Sequence, residues 1–290
     1  MPRARVVLVH GLRTSSSMWR RQLELLGAHD LEVVAIDLPG HGRRIGEPFS
    51  IDAALQEIDA ALNPPPAAPD APGVRGAHHS TPRLLVGLSL GGYLSIEFAA
   101  RKPDRLDGLV AASCSTRPRG APLGGYRRLA ALIGRMPDRG RFLNDAMARL
   151  FLSPEAAIDV LAGGVALDVM APVLGAVGDL DPVRSLAAVD VPVWLVNGRF
   201  DHFRFEERRM LRATRDGHLV IVPRATHLVS LIRPDDFAAI VLGAVAELDR
   251  RAAASAAAAR RRRDRPTGAS DTSPGFPGQL AGANVGEPPS

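Results

Sequence analysis

Six short runs of apolar, often β-branched residues recur along the chain, at residues 5–10, 32–37, 83–88, 107–113, 192–197 and 218–222. Within them the apolar residues are continuous rather than alternating with polar ones. That is the pattern of strands covered on both faces, as in a parallel sheet. Between most of these runs lie segments with apolar residues at helical spacing: 18–28, 51–62, 90–101, 206–215 and 234–248. Alternating strands and helices predict an α/β fold, an open and mainly parallel sheet of about six strands with helices on both faces. Right-handed crossovers then gather the C-terminal ends of the strands along one rim, and ligands bind such sheets at that rim.

Three stretches break the alternation. Residues 63–82 are rich in proline and alanine, with Pro64-Pro65-Pro66, and read as a flexible surface loop with local polyproline character. Residues 117–188 separate two strand candidates by too much for an ordinary crossover. They read as several short helices, among them 141–152 and 154–162, which is the pattern of an inserted helical lid. Residues 252–263 extend the last helix by their alanine and arginine content, and beyond Asp264 glycine, proline, serine and threonine predict disorder. The expected organisation is one domain over residues 1–250 carrying the lid, followed by a tail over 251–290. No internal repeat is present in the sequence.

Composition adjusts this picture modestly. With 290 residues, 46% of them hydrophobic, the chain can bury the core of one such domain. Lys102 is the only lysine among 36 basic residues, a bias that reads as GC-rich codon usage rather than as an arginine-rich nucleic-acid surface. Of the formal net charge of +5, residues 251–290 carry +3, so the body is close to neutral and no nucleic-acid partner is expected. The run Arg260–Arg263 reads as a solvated tail. Cys114 is the only cysteine, which rules out an intrachain disulfide and fits a reducing compartment. The apolar run after Arg3 and Arg5 is too short for a signal peptide, and no stretch approaches the roughly 20 apolar residues of a membrane span. A cytoplasmic protein is the expectation. His78-His79 lacks nearby cysteine or carboxylate ligands, so no metal is expected there.

The sharpest chemical signal is Gly87-Leu88-Ser89-Leu90-Gly91, directly after one strand candidate and directly before a helix. A nucleophile on a sharp strand-to-helix turn sits in strained backbone, and glycines at 87, 91 and 92 let strand and helix approach. The Leu90 amide falls at a helix N-terminus, where N–H groups are free to receive an oxyanion. His10-Gly11-Leu12, ending the first strand, can supply a second donor through the Leu12 amide. A serine needs a base, and the base an orienting acid. His227 lies in a short loop after the last strand, and Asp201 follows the strand before it, so both fall on the expected rim. Asp179 and Asp181 compete for the acid role but read as the end of the lid. No acid follows the strand ending near Ser113. The order Ser89, Asp201, His227 is that of α/β-hydrolases.

Taken together, His10-Gly11, Asp37-Leu38-Pro39-Gly40-His41-Gly42, Gly87-Leu88-Ser89-Leu90-Gly91-Gly92, Gly198-x-x-Asp201 and Thr226-His227 resemble the α/β-hydrolase fold in its single-domain form, over residues 5–248. The resemblance implies Ser89, Asp201 and His227 as a triad, Leu12 and Leu90 as oxyanion amides, a structural loop at Asp37–Gly42, and no cofactor. The first strand here corresponds to the family's third, which implies a sheet of about six strands. Residues 10–19 are also similar to haloalkane dehalogenases, but these and epoxide hydrolases carry an aspartate where Ser89 stands.

The expected activity is hydrolysis of an ester, thioester or other acyl compound through an acyl-enzyme. The fold also hosts C–C bond hydrolases with the same triad, and slow small-molecule sensors. The Leu, Ala, Val and Met content of the lid, with Phe142 and Phe151, predicts a pocket for an apolar acyl or aromatic group and hence a small apolar substrate.

Overall fold

The computed structural model describes residues 2–65 and 81–263. Most of the proline-rich loop, with His78-His79, and the stretch read as disordered after residue 263 lie outside the described residues.

Six strands form one sheet: β1 (Ala4–Val9), β2 (Leu31–Ile36), β3 (Arg83–Leu88), β4 (Gly108–Ala112), β5 (Val193–Gly198) and β6 (Gly217–Val222). Their order is β2-β1-β3-β4-β5-β6 and every pairing is parallel. The expected strand positions hold to within a residue or so at each end. β1, β3, β4 and β5 are buried along their whole length apart from Arg5, as continuous apolar runs require, whereas the edge strands β2 and β6 are only partly covered.

Alternate residues of the central strands feed two cores. Val7, Val9, Leu85, Leu109 and Leu195 pack under α2 (Ile51–Leu62) and α3 (Leu90–Arg101). Val6, Leu8, Leu84, Val86, Val110 and Val196 pack on the opposite face, against α1 (Arg20–Gly27) and the last helix. Side chains of a strand point alternately to the two faces, so one apolar run supplies both layers.

The helix expected over 18–28 divides into two. Ser15 caps a 3-10 turn over Ser16–Trp19 by accepting the Ser17 N–H, and the α-helix begins only at Arg20. The physical reason is that Met18 and Trp19 are buried by this tighter turn at the start of the element.

Between β4 and β5 stand five helices: α4 (Gly120–Gly134), α5 (Arg141–Phe151), α6 (Pro154–Ala162), α7 (Met170–Val177) and α8 (Pro182–Ala187). This is the helical insertion read at residues 117–188. α9 (Glu207–Ala213) joins β5 to β6, and the short α10 (Val229–Ile232) precedes α11 (Pro234–Arg263). Phe237, Val241, Val245 and Leu248 form the buried stripe of α11, and residues 251–258 are exposed. The helix therefore does continue through the 252–263 extension, although from Ala253 onward the chain forms a unit separate from residues 1–252. No described helix is long and apolar enough to cross a membrane.

Candidate active site

The sheet order turns the chain around at β1: it leaves β1 for β2 on one side and returns to β3 on the other. The C-terminal ends of β1 and β3 thus flank the crevice at which open α/β sheets bind ligands. Residue 89 follows β3 and residue 12 follows β1. Ser89 has φ 56° and ψ −113°, a left-handed conformation that costs a non-glycine residue about 1–3 kcal/mol. The turn is wedged from three sides. Its Ser89 N–H donates to the Ala112 carbonyl at 2.8 Å and the Gly91 N–H to the His10 carbonyl at 3.1 Å. A β-carbon on Gly87 would strike the Gly91 carbonyl, one on Gly91 would strike the Val9 carbonyl, and one on Gly92 would lie 2.6 Å from Cys114 Sγ. The three glycines singled out in the sequence are therefore required by close approach.

The Leu12 and Leu90 amides donate to no other group among the described residues, and both residues line the same cavity as Ser89. The loop carrying Leu12 is held by His10. Its Nδ1 meets the Gly11 carbonyl at 2.8 Å, and its Nε2 accepts the Leu38 N–H at 3.0 Å, so Nδ1 carries the proton. Burial, reinforced by His41, pushes the pKa of His10 down to about 3, and the ring stays neutral. Asp37 closes the neighbouring loop by accepting the Ser16 N–H at 2.7 Å and the Arg43 N–H at 3.2 Å. His41 is buried beside His10 with ring centroids 4.9 Å apart, away from the cavity lining.

From β5 and β6 come the remaining two residues. His227 Nε2 lies 3.0 Å from Ser89 Oγ, and His227 Nδ1 lies 3.0 Å from Asp201 Oδ1. Asp201 Oδ1 also accepts the Phe203 N–H at 2.8 Å. Burial opposes ionisation of Asp201, but the hydrogen bond and charge of His227 and the Phe203 N–H outweigh it and hold the carboxyl below the usual carboxylate range. The carboxylate is thus charged and fixed on His227. Of the competing acids, Asp181 caps α8 and pairs with Arg119, and Asp179 is exposed. The sequence-predicted serine, histidine, aspartate and both amides converge on one place. The only set of three mutually close metal-ligating side chains among the described residues is Asp201, His202 and His227, and its carboxylate and His227 are already joined by that hydrogen bond.

The cavity above Ser89 has a volume of about 560 Å³. Leu123, Tyr126 and Leu129 of α4 and Val173, Leu174 and Val177 of α7 form its far wall. His202, Phe203 and Phe205 complete it on the side of the β5–α9 connection. His202 is 5.0 Å from His227 between ring centroids, and burial is the main cause that lowers its pKa. These aromatic residues were not singled out by sequence as pocket residues; adjacency of His202 to Asp201 was the one available signal. Conversely, Phe142 and Phe151, expected to contribute to an apolar pocket, do not line it. They sit on α5 and face solvent at 76% and 63% exposure, because that helix turns its smaller and more polar side inward.

A sequence profile of the alpha/beta hydrolase family matches residues 6–240. Among curated proteins, a pimeloyl-[acyl-carrier protein] methyl ester esterase of Neisseria meningitidis is 29% identical over 258 residues, 81% of this chain and 91% of its own. Lipase LipV of Mycobacterium tuberculosis is 30% identical over 255 residues, 86% of this chain and 81% of its own. Among solved structures, a thermophilic esterase from Thermogutta terrifontis superposes with a TM-score of 0.66 at 24% identity, over 86% of this chain and 91% of its own. With the parallel sheet, the strained serine turn and a profile match across most of its length, the chain belongs to the alpha/beta hydrolase family.

Proposed function

We propose that this protein is a carboxylic-ester hydrolase that works through an acyl-enzyme on Ser89 and accepts an apolar acyl group. The observation that carries the proposal is the continuous chain Ser89 Oγ–His227 Nε2, His227 Nδ1–Asp201 Oδ1, at 3.0 Å and 3.0 Å, at the foot of a largely apolar cavity. Ser89 Oγ attacks the ester carbonyl while its proton passes to His227 Nε2. Asp201 stabilises the imidazolium that forms and keeps the ring in the tautomer with the proton on Nδ1. The carbonyl oxygen, now an anion, receives the Leu12 and Leu90 N–H groups, which need not reorganise to meet it. His227 then gives its proton to the departing alkoxide. A water activated by the same ring releases the acid and restores Ser89.

Leucine, valine and phenylalanine side chains around the cavity favour an acyl group without charge along its body. Relatives named as a pimeloyl-[acyl-carrier protein] methyl ester esterase and as a lipase support an ester substrate. The insertion helices α4 and α7 act as the lid of this site.

A fluorophosphonate probe tests the nucleophile: it is expected to label the wild type and to leave Ser89→Ala unlabelled. Equal labelling of the two would remove Ser89 from the mechanism. p-Nitrophenyl esters of increasing acyl length, with Ser89→Ala as control, then report the depth of the apolar pocket.

A further inference from the structure

The exposed large apolar side chains of this protein are not scattered. Of the 13 among the described residues, ten lie between Tyr126 and Ile158, in the helical insertion. Helix α5 carries the clearest part of this patch. At 100° per residue, Phe142, Leu143, Met147, Leu150 and Phe151 fall on one half of the helix, and all five are exposed, with Phe142 at 76% and Leu150 at 73%. The half that faces the protein instead holds Asn144, Asp145 and Ala148. An amphipathic helix ordinarily buries its apolar stripe, and here the stripe points outward. Leu132 of α4, Met136 just beyond the end of that helix and Ile158 of α6 are exposed as well.

The charge around the patch has one sign in excess. Residues 120–151 contain six arginines against Asp138 and Asp145. Arg128, Arg135, Arg141 and Arg149 are exposed and pair with no carboxylate among the described residues. Arg128 and Arg135 lie four and three residues from Leu132, and Arg149 adjoins Leu150. Large apolar side chains bordered by cations are the composition of a helix surface that lies in the boundary of an anionic bilayer. Such a bilayer meets both parts of this surface, its acyl boundary taking Phe142, Leu150 and Phe151 and its headgroups the arginines. Tyr126 and Leu129 belong to the same α4 face and also line the cavity, so the patch runs to the mouth of the pocket.

We infer that the outer face of α4 and α5 docks on an anionic lipid surface, from which an apolar ester can pass along α4 into the cavity. Docking rests on this surface alone, whereas delivery to Ser89 rests on the ester-hydrolase reading above.

Flotation of the full chain with unilamellar vesicles tests it. The wild type is expected to float with vesicles of phosphatidylcholine and phosphatidylglycerol, less with phosphatidylcholine alone, and progressively less as salt rises. The triple variant Phe142→Glu, Leu150→Glu, Phe151→Glu should lose at least about tenfold in vesicle affinity, with an unchanged circular-dichroism spectrum and unchanged turnover of a short soluble ester. The double variant Arg135→Gln, Arg149→Gln should bind with a shallower salt dependence. Ser89→Ala should float as the wild type does, which separates failure of docking from failure of the nucleophile assignment. Absence of vesicle binding by the wild type would overturn the inference, as would equal binding by the triple variant. A wild-type dimer in solution that the triple variant dissolves would also overturn it, by assigning the face to a second copy of the chain.

Discussion

Ser89, the proposed nucleophile, both lines the cavity and sits in strained backbone, and the strain is separable from the proposed chemistry. Ser89→Ala and Ser89→Gly both remove the hydroxyl, and both are expected to lower kcat by on the order of 10⁴- to 10⁶-fold, the range found when triad members are removed elsewhere. They should differ in stability. Alanine retains the φ of 56°, while glycine adopts it freely. Relief of about 1–3 kcal/mol of strain exceeds the roughly 0.5–1 kcal/mol that glycine loses in chain entropy. Ser89→Gly should therefore melt a few degrees above Ser89→Ala in calorimetry, and an equal or lower melting temperature would argue against strain at this position. His10 gives the clearest pH dependence. Its pKa is about 3 in the folded protein against an ordinary value of 6.5. Between those limits the unfolded chain holds a proton that the folded protein does not, so stability falls as pH drops from 6.5 towards 3, by up to about 1.4 kcal/mol per pH unit. Above pH 6.5 the contribution is constant. Urea midpoints measured across this range should fall less steeply in His10→Gln, which keeps an acceptor for the Leu38 N–H and loses the titration. The sequence placed His10 at the end of a strand and in the His10-Gly11 motif, but gave its side chain no role. Its role in pinning the Leu12 loop depends on Leu38, 28 residues away, and no local pattern carries that contact.

At the scale of elements, the strand–turn–helix around Ser89 was legible because its glycines answer to local crowding. Gly92 shows how tightly. A methyl group there would meet Cys114 Sγ at 2.6 Å, Cys114 Cβ at 3.0 Å and the Ala112 carbonyl at 3.1 Å. Gly92→Ala is expected to cost about 1–3 kcal/mol, the usual range for overpacking. Cys114→Gly removes two of the three obstructing atoms, so the double variant should recover part of that loss. A chemical-denaturation cycle measures the coupling, and strict additivity of the two substitutions would contradict this packing. The six strands were legible for a different reason. Burial on both faces demands continuous apolar runs, and few other arrangements use them in series. Helix α5 marks the opposite case. Its apolar periodicity correctly predicted a helix, yet the inference that Phe142 and Phe151 turn inward to a pocket failed. Periodicity locates a stripe on a helix but not the surroundings towards which that stripe is turned. The 3-10 turn at Ser16–Trp19 was missed likewise, since Ser15 capping and the burial of Met18 and Trp19 choose between two helical forms with nearly the same spacing.

For the whole molecule, parallel topology explains why residues 12, 89, 201 and 227 meet. Every strand ends on the same rim, and the β1–β3 switch opens the crevice there. The order of the motifs along the chain therefore determined the site more firmly than any one of them did. The cavity wall was not legible to the same degree, because α4 and α7 contribute side chains from positions about 50 residues apart, brought together only by the fold of the insertion. The same whole-molecule view separates the site from the C-terminal charge. Among the described side chains of α11 the last buried one is Leu248, and residues 251–258 are exposed. Among the described residues, none lining the cavity comes after His227. A chain ending at Ala252 loses most of the arginine-rich segment and keeps every described core and cavity residue. It should hydrolyse p-nitrophenyl esters with kcat and KM within about twofold of the full chain, since substitutions and deletions away from buried features have small effects. Its melting temperature should lie within a few degrees of the full chain's. A large fall in kcat at an unchanged melting temperature would assign the C-terminal arginines a part in turnover, whereas matched values leave the rim of the sheet and the insertion above it sufficient for the reaction.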